Sequence, residues 1–175
     1  MSAGQGIDVG ATAQTVLDGV VAHFAASEVT LPDRRVIAPG DPRSVAWDCE
    51  QVVVTCGGIN WGAGPGTNTT GTLSRPTGNP VSTSGARHTA IAVQIVRWVP
   101  VGDADGPPPA ADVTAAGLAL MRDGGLLSQA LTELIGRDGA LAKAGAGLVG
   151  VEVLGPGGGM AAVEGIVTVT LASLR

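Results

Sequence analysis

Few residues in this chain are of types that do chemistry, and they are widely spaced: His23 and His88, Cys49 and Cys56, and scattered acids. A zinc site takes four thiolate or imidazole donors, usually supplied in short-spaced pairs. His23, His88, Cys49 and Cys56 fall outside any CxxC or HExxH spacing, so only the fold could gather them. A Cys–His nucleophile needs Cys49 or Cys56 beside His88 and a third group to orient the imidazole. No local signature marks such a pair, and a structural histidine is the simpler reading. The two cysteines lie at an odd separation on one expected strand. They therefore point to opposite faces and cannot bridge within it, and reduced, buried thiols are expected.

The glycine runs invite a phosphate-binding reading. Gly62-Ala63-Gly64-Pro65-Gly66 and Gly155 to Gly159 both fail its context, because a phosphate loop must deliver the chain into a helix N-terminus. The first leads into a polar loop and the second into a strand, so a flexible segment and a hairpin turn are expected. No nucleophile elbow or Walker-type loop occurs. Asp48, Glu50, Glu152 and Glu164 lie within expected strands, at positions suited to the solvated face of a one-sided sheet. No catalytic residue, metal or cofactor is expected.

The elements that must hold these residues follow from periodicity. Val9, Ala13, Val16, Val20 and Phe24 recur at helical spacing, with Asp8 placed to cap the first turn. That helix must stop before Leu31-Pro32, and Leu31 to Arg43 reads as a turn-rich connection. Ala46 to Cys56 is expected as a strand. Gly57 to Ala86 is almost wholly Gly, Thr, Ser, Asn and Pro, which is long for a connection inside a compact domain unless it binds something or stays disordered. His88 to Val101 is a second strand, with Ile91, Val93, Ile95 and Val99 on one side and Ala90, Ala92, Gln94, Val96 and Trp98 on the other. A long helix follows from Ala110 to Gly136, its stripe of Val113, Gly117, Leu120, Gly124, Leu127, Leu131 and Leu134 passing through Gly124-Gly125. Leu148 to Leu154 and Met160 to Ala172 form a closing hairpin. The order α-β-β-α-β-β predicts one α+β domain over residues 1–175, a four-stranded, mostly antiparallel sheet with two helices packed on one face.

Composition sets the class of partner. Only 14% of residues are charged, against 45% apolar, and the net charge is −5 with Lys143 the single lysine. So sparse a basic complement argues against a sequence-independent nucleic-acid binder. A surface poor in charge loses much of its area to partners, and a core of Ala, Val and Gly yields little burial energy per residue. An oligomer completes such a core. No apolar run reaches membrane-spanning length and no basic-plus-apolar leader opens the sequence, so synthesis in the cytosol is expected.

Four stretches then carry a family resemblance: Leu31-Pro32-Asp33-Arg34-Arg35; Ala46-Trp47-Asp48-Cys49-Glu50-Gln51-Val52-Val53-Val54; Ala92 through Val101 (AVQIVRWVPV); and Leu154 through Ala161 (LGPGGGMA). In that order and spacing the chain resembles the tail terminator proteins of long, non-contractile-tailed phages of actinobacteria. The likeness covers nearly the whole chain in outline, and it departs at Gly57 to Ala86, which is longer and richer in glycine.

The resemblance implies a virion protein at the tail–neck junction. It implies a ring of identical copies, a hexamer, that sits on the last ring of the tail tube protein, stops its growth and meets the head–tail connector or stopper. DNA crosses the central opening without sequence-specific binding. On that reading the loop of residues 57–87, with Trp61, Leu73, Arg75 and Arg87, is the expected contact with a neighbour or with the tail tube, ordering on assembly. Asp48, Glu50, Glu152 and Glu164 are the acids expected to face the channel and repel phosphate. Two rivals stand beside it: another neck component, such as a head-completion or stopper protein, and a small ligand-binding domain with a cleft around His88 and Cys56.

Overall fold

Helix α1, Val9–Ala26, starts where Asp8 accepts from the amides of Gly10 and Ala11 at 2.9 and 3.1 Å. In this computed structural model, which describes residues 8–40, 45–57, 60–61, 87–102 and 106–171, its stripe of Ala13, Val16, Leu17, Val20 and Phe24 is buried. The helix ends in a Schellman closure: the Glu28 amide donates to Ala25 O and the Val29 amide to Phe24 O. Glu28 takes the left-handed conformation there, at φ 57°, a place more often filled by glycine.

The chain is α+β, with two long helices and a five-strand sheet. The strands are β1 (Arg35–Pro39), β2 (Gln51–Cys56), β4 (Arg87–Trp98), β5 (Gly147–Gly157) and β6 (Met160–Leu171), in the order β1-β2-β4-β6-β5. A two-residue strand, β3 (Asn60–Trp61), also pairs with β4. All pairings are antiparallel except β1 with β2. The sheet thus has one more principal strand than expected, because Leu31 to Arg43 is not all connection. Arg35–Pro39 forms an edge strand, and its proline is tolerated for a reason visible in the ladder. Arg34 O accepts from the Val52 amide and the Gly40 amide donates to Cys56 O, so even-numbered residues of β1 bond inward. Odd-numbered Pro39 therefore turns its missing N–H outward, where no ladder bond is lost.

A second difference lies just before β2. Residues 46–50 are not strand but a coil on the sheet face opposite the helices, closed by Gln51 Nε2 donating to Ala46 O at 2.7 Å. Cys49 therefore precedes the strand that carries Cys56. Trp47 packs against a small cluster of Val96, Met160 and Ala162, with Leu154 beside it.

Helix α2, Ala110–Ile135, runs unbroken through Gly124-Gly125. An added Cβ at Gly124 would meet only Val163 Cγ1, and at Gly125 nothing within 4 Å, so no second backbone approaches there. Burial along α2 begins at Leu120, and Val113 at the head of the stripe is exposed. From Leu120 onward the helix joins α1 and the alternate strand residues Val52, Val54, Ile91, Val93, Ile95, Val163, Val167 and Val169 in one apolar core. Gly165 is a point of close approach between α2 and β6: a Cβ there would stand 2.5 Å from Leu131 Cδ1 and 3.1 Å from Leu127 Cδ2. Across the same layer Arg97 Nε donates to buried Asp123 Oδ2 at 2.9 Å, and its Nη2 donates to Thr30 O at 2.8 Å. Arg122 Nη2 stands 3.6 Å from Asp123 Oδ1, close enough for ion pairing but too far for a hydrogen bond.

The final hairpin turns at Gly158-Gly159, both at positive φ (61° and 82°), the backbone of a two-residue type I′ turn. The glycine run is therefore a hairpin turn, as its sequence context required.

Candidate functional site

Alternation along the strands sends Gln51, Val53, Gln94, Val96, Met160, Ala162, Glu164 and Glu152 to the face away from the helices. Register then aligns Val36, Val53, Gln94, Glu164 and Glu152 as one row across the five principal strands. Two members of the row are joined directly: Gln94 Nε2 donates to Glu164 Oε2 at 2.7 Å. Cross-strand partners on one face lie close enough for such a bond. Trp47 Nε1 donates to Gln94 Oε1 at 3.3 Å, tying the coil to the row. A polar group withdrawn from water needs such partners to avoid the full cost of desolvation. Gln94 is fully buried and Glu164 is 4% exposed.

The four acids therefore do not form one patch. Glu164 is held inside, while its register partner Glu152 is exposed. Asp48 and Glu50 sit in the coil instead of a strand. Asp48 Oδ1 accepts from Arg34 Nη1 at 3.1 Å with both side chains largely exposed, an arrangement that contributes little net stability. Glu50 Oε1 accepts from the Trp98 amide at 3.1 Å. That amide points toward where β2 would continue, so the carboxylate replaces the missing ladder acceptor. This role depends on β2 starting at Gln51, which residue type alone does not reveal.

The thiols and imidazoles are equally dispersed. Cys49 Sγ accepts from Arg34 Nη1 at 3.1 Å, and this bond with the nearby Asp48 charge holds the Arg34 guanidinium still more firmly protonated. Cys56 packs on the helix side, where burial pushes its thiol pKa up. Register sets Cys56 against Ile91, three residues along β4 from His88, so His88 points to the opposite face. His88 Nδ1 lies 3.1 Å from Thr170 Oγ1, and His23 Nδ1 is 3.0 Å from Glu133 Oε2, an α1–α2 contact. Among the described residues no three His, Cys, Asp or Glu side chains are grouped to hold a metal ion.

Of the expected contact loop, Leu73 and Arg75 lie outside the described residues. Trp61 and Arg87 are register partners in the β3–β4 pair, so the two ends of the segment between them are held side by side.

The surface instead offers apolar side chains that the expectations did not single out. Ile37, Trp98, Val101, Val113, Leu118, Met121, Val149 and Val153 are all exposed, Leu118 and Met121 by 61% and 69%. Residues 110–119 of α2 contain no buried position. A helix stretch with a single charged residue, Asp112, gains little from facing water. Its sequence signal was present in the run Ala115-Ala116-Gly117-Leu118-Ala119, which carries no polar face.

No helix among the described residues is long and apolar enough to cross a membrane. No protein-family model matches the chain, and no curated protein matches it either.

Proposed function

We propose that the chain is a structural subunit of a phage neck: a ring of identical copies, hexameric by the family resemblance, that caps the tail tube. It ends tube polymerisation and presents its other surface to the head connector. The chain acts by contact, with no reaction of its own, and DNA passes through the ring without sequence-specific binding.

The observation that carries this reading is the set of large apolar side chains left outside a well-filled core. They occur at both sheet edges (Ile37; Val149 and Val153), at the end of β4 (Trp98, Val101) and on the projecting half of α2 (Val113, Leu118, Met121). Exposed large apolar side chains gain by being covered, and a subunit flanked by copies and stacked between two other rings covers several sides at once. A chain with only 14% charged residues has little else to keep such surfaces apart. Glu152 and Asp48 are the exposed acids that can face the channel, where negative charge repels phosphate.

Negative-stain electron microscopy of the purified protein tests the proposal, with rings pierced by a central hole as the expected image. Mixing with purified tail tubes then fixes the place in the neck. Binding to tube ends is expected. Binding to the capsid connector alone would reassign the chain as a stopper, and a persistent monomer would end both readings.

A further inference from the structure

The strands at the two margins of the sheet run in opposite directions. β1 is parallel to β2, and three antiparallel steps lead from β2 through β4 and β6 to β5. A rotation about an axis along the strands keeps every strand's direction. It therefore sets β5 of one copy antiparallel to β1 of the next, with backbone bonds perpendicular to the strands.

The bonding pattern shows which groups each margin offers. On β1, Arg35 and Ile37 direct N–H and C=O outward, and Pro39 directs a C=O alone. On the other side the parity can be followed strand by strand. The Gly57 amide donates to Ala90 O and the Val99 amide to Gly159 O. Even-numbered residues of β4 therefore bond to β2 and odd-numbered ones to β6. In the regular registers that follow, Glu164 and Ala162 of β6 bond to Glu152 and Leu154 of β5. Val151 and Val153 are left facing outward, and among the described residues nothing pairs with either margin.

The side chains agree with the backbone. Ile37 shares its face with Val54, and Val153 shares its face with Val163. Both partners belong to the helix-side core. Ile37 and Val153 nevertheless remain 38% and 52% exposed.

We infer that β5 of one copy pairs antiparallel with β1 of the next, Val153 opposite Ile37, so that the sheets join into one continuous wall. The inference rests on the self-association proposed above and supplies its lateral contact. The joint satisfies the outward amides of both strands and closes the gap in the apolar layer. It is head-to-tail, so it consumes both margins of every copy and closes by rotation. Pairing of β5 with β5 would leave β1 open and bring the two Glu152 carboxylates near each other. Pairing of β1 with β1 would set Pro39, which has no N–H, against Arg35.

The test is a cysteine pair, Ile37→Cys with Val153→Cys in one chain. Hydrogen-bonded partners across an antiparallel joint stand about 5.5 Å apart at Cα, within disulfide range. Within one subunit the same positions are separated by four strand spacings, roughly 19 Å, so a bridge between them must join two copies. Mild oxidation should give a ladder of covalent multimers on a non-reducing gel, absent from the unmodified chain and from each single variant. A dimer from Val153→Cys alone would overturn the inference in favour of β5–β5 pairing. So would a double variant that assembles to full size by light scattering yet stays uncrosslinked; in that case self-association stands and only this joint falls. A protein that is monomeric by light scattering removes both. As an independent check, Val153→Pro deletes an outward N–H without touching an internal bond. It should keep the circular dichroism of the parent and lose assembly, and retained assembly would refute the joint.

Discussion

Gln94 shows how a single side chain is committed by its surroundings. It accepts from Trp47 Nε1 and donates to Glu164, so it links the coil before β2 to the middle of the sheet. Gln94→Leu leaves buried Glu164 and part-buried Trp47 each short of one partner and should cost about 1–3 kcal/mol, read from urea unfolding with an unchanged slope. Cys56 carries a pH signature. Below the ordinary thiol range both folded and unfolded states are protonated and the site costs nothing. As pH rises through that range the unfolded thiol ionises while burial holds the folded one protonated, so stability falls until pH passes the raised folded value. Stability measured across alkaline pH should show this decline, and Cys56→Ala should flatten it. Gln94 was readable in advance as lying on the strand face opposite Ile91, Val93 and Ile95. Its burial was not, because what covers it comes from residues 46–50, which sequence pattern assigns to a strand.

At the scale of elements, two close details have opposite consequences. Glu28 occupies the left-handed position of the α1 closure, where a Cβ is unfavourable. Glu28→Gly should therefore stabilise the fold by about 1 kcal/mol. Gly165, in contrast, lies under Leu127 and Leu131, where a Cβ would have to push the Leu131 side chain aside. Gly165→Ala should destabilise by about 1–3 kcal/mol, lowering the thermal midpoint by several degrees. Thermal denaturation followed by circular dichroism checks both. The helices were legible to within a residue or two because Val9–Ala26 and Ala110–Ile135 carry strong periodicity and identifiable ends. β1 was not. Five residues flanked by prolines resemble a connection, and they become a strand only because β2 offers them a ladder.

For the whole molecule the relevant quantity is how much surface one copy leaves unfinished. Exposed Leu118, Met121, Trp98 and Val153 lie outside the main core. If copies complete one another there, association stabilises the folded state by mass action. The thermal midpoint should then rise with protein concentration over a hundredfold dilution series, whereas a monomer would show none. The acids fit the same scale. Asp48, Glu50, Glu152 and Glu164 were expected as one lining; the structure instead distributes them among a surface ion pair, a ladder cap, an exposed strand position and a buried hydrogen bond. Charge counts along a strand cannot separate these roles, because each depends on what lies across the sheet.

The amino-acid order alone determined what local physics can determine: two helices with their extents, four of the five principal strands and the glycine hairpin, a core of small apolar residues, and a charge balance poor in lysine. Periodicity and φ preferences act over a few neighbours and need no partner. Tertiary structure alone decided the fifth strand, the coil that buries Gln94 and Glu164, the separation of Cys56 from His88, and the opposed directions of the sheet's two margins. These are pairings between residues distant in the chain, and their free energy exists only once both partners are in place.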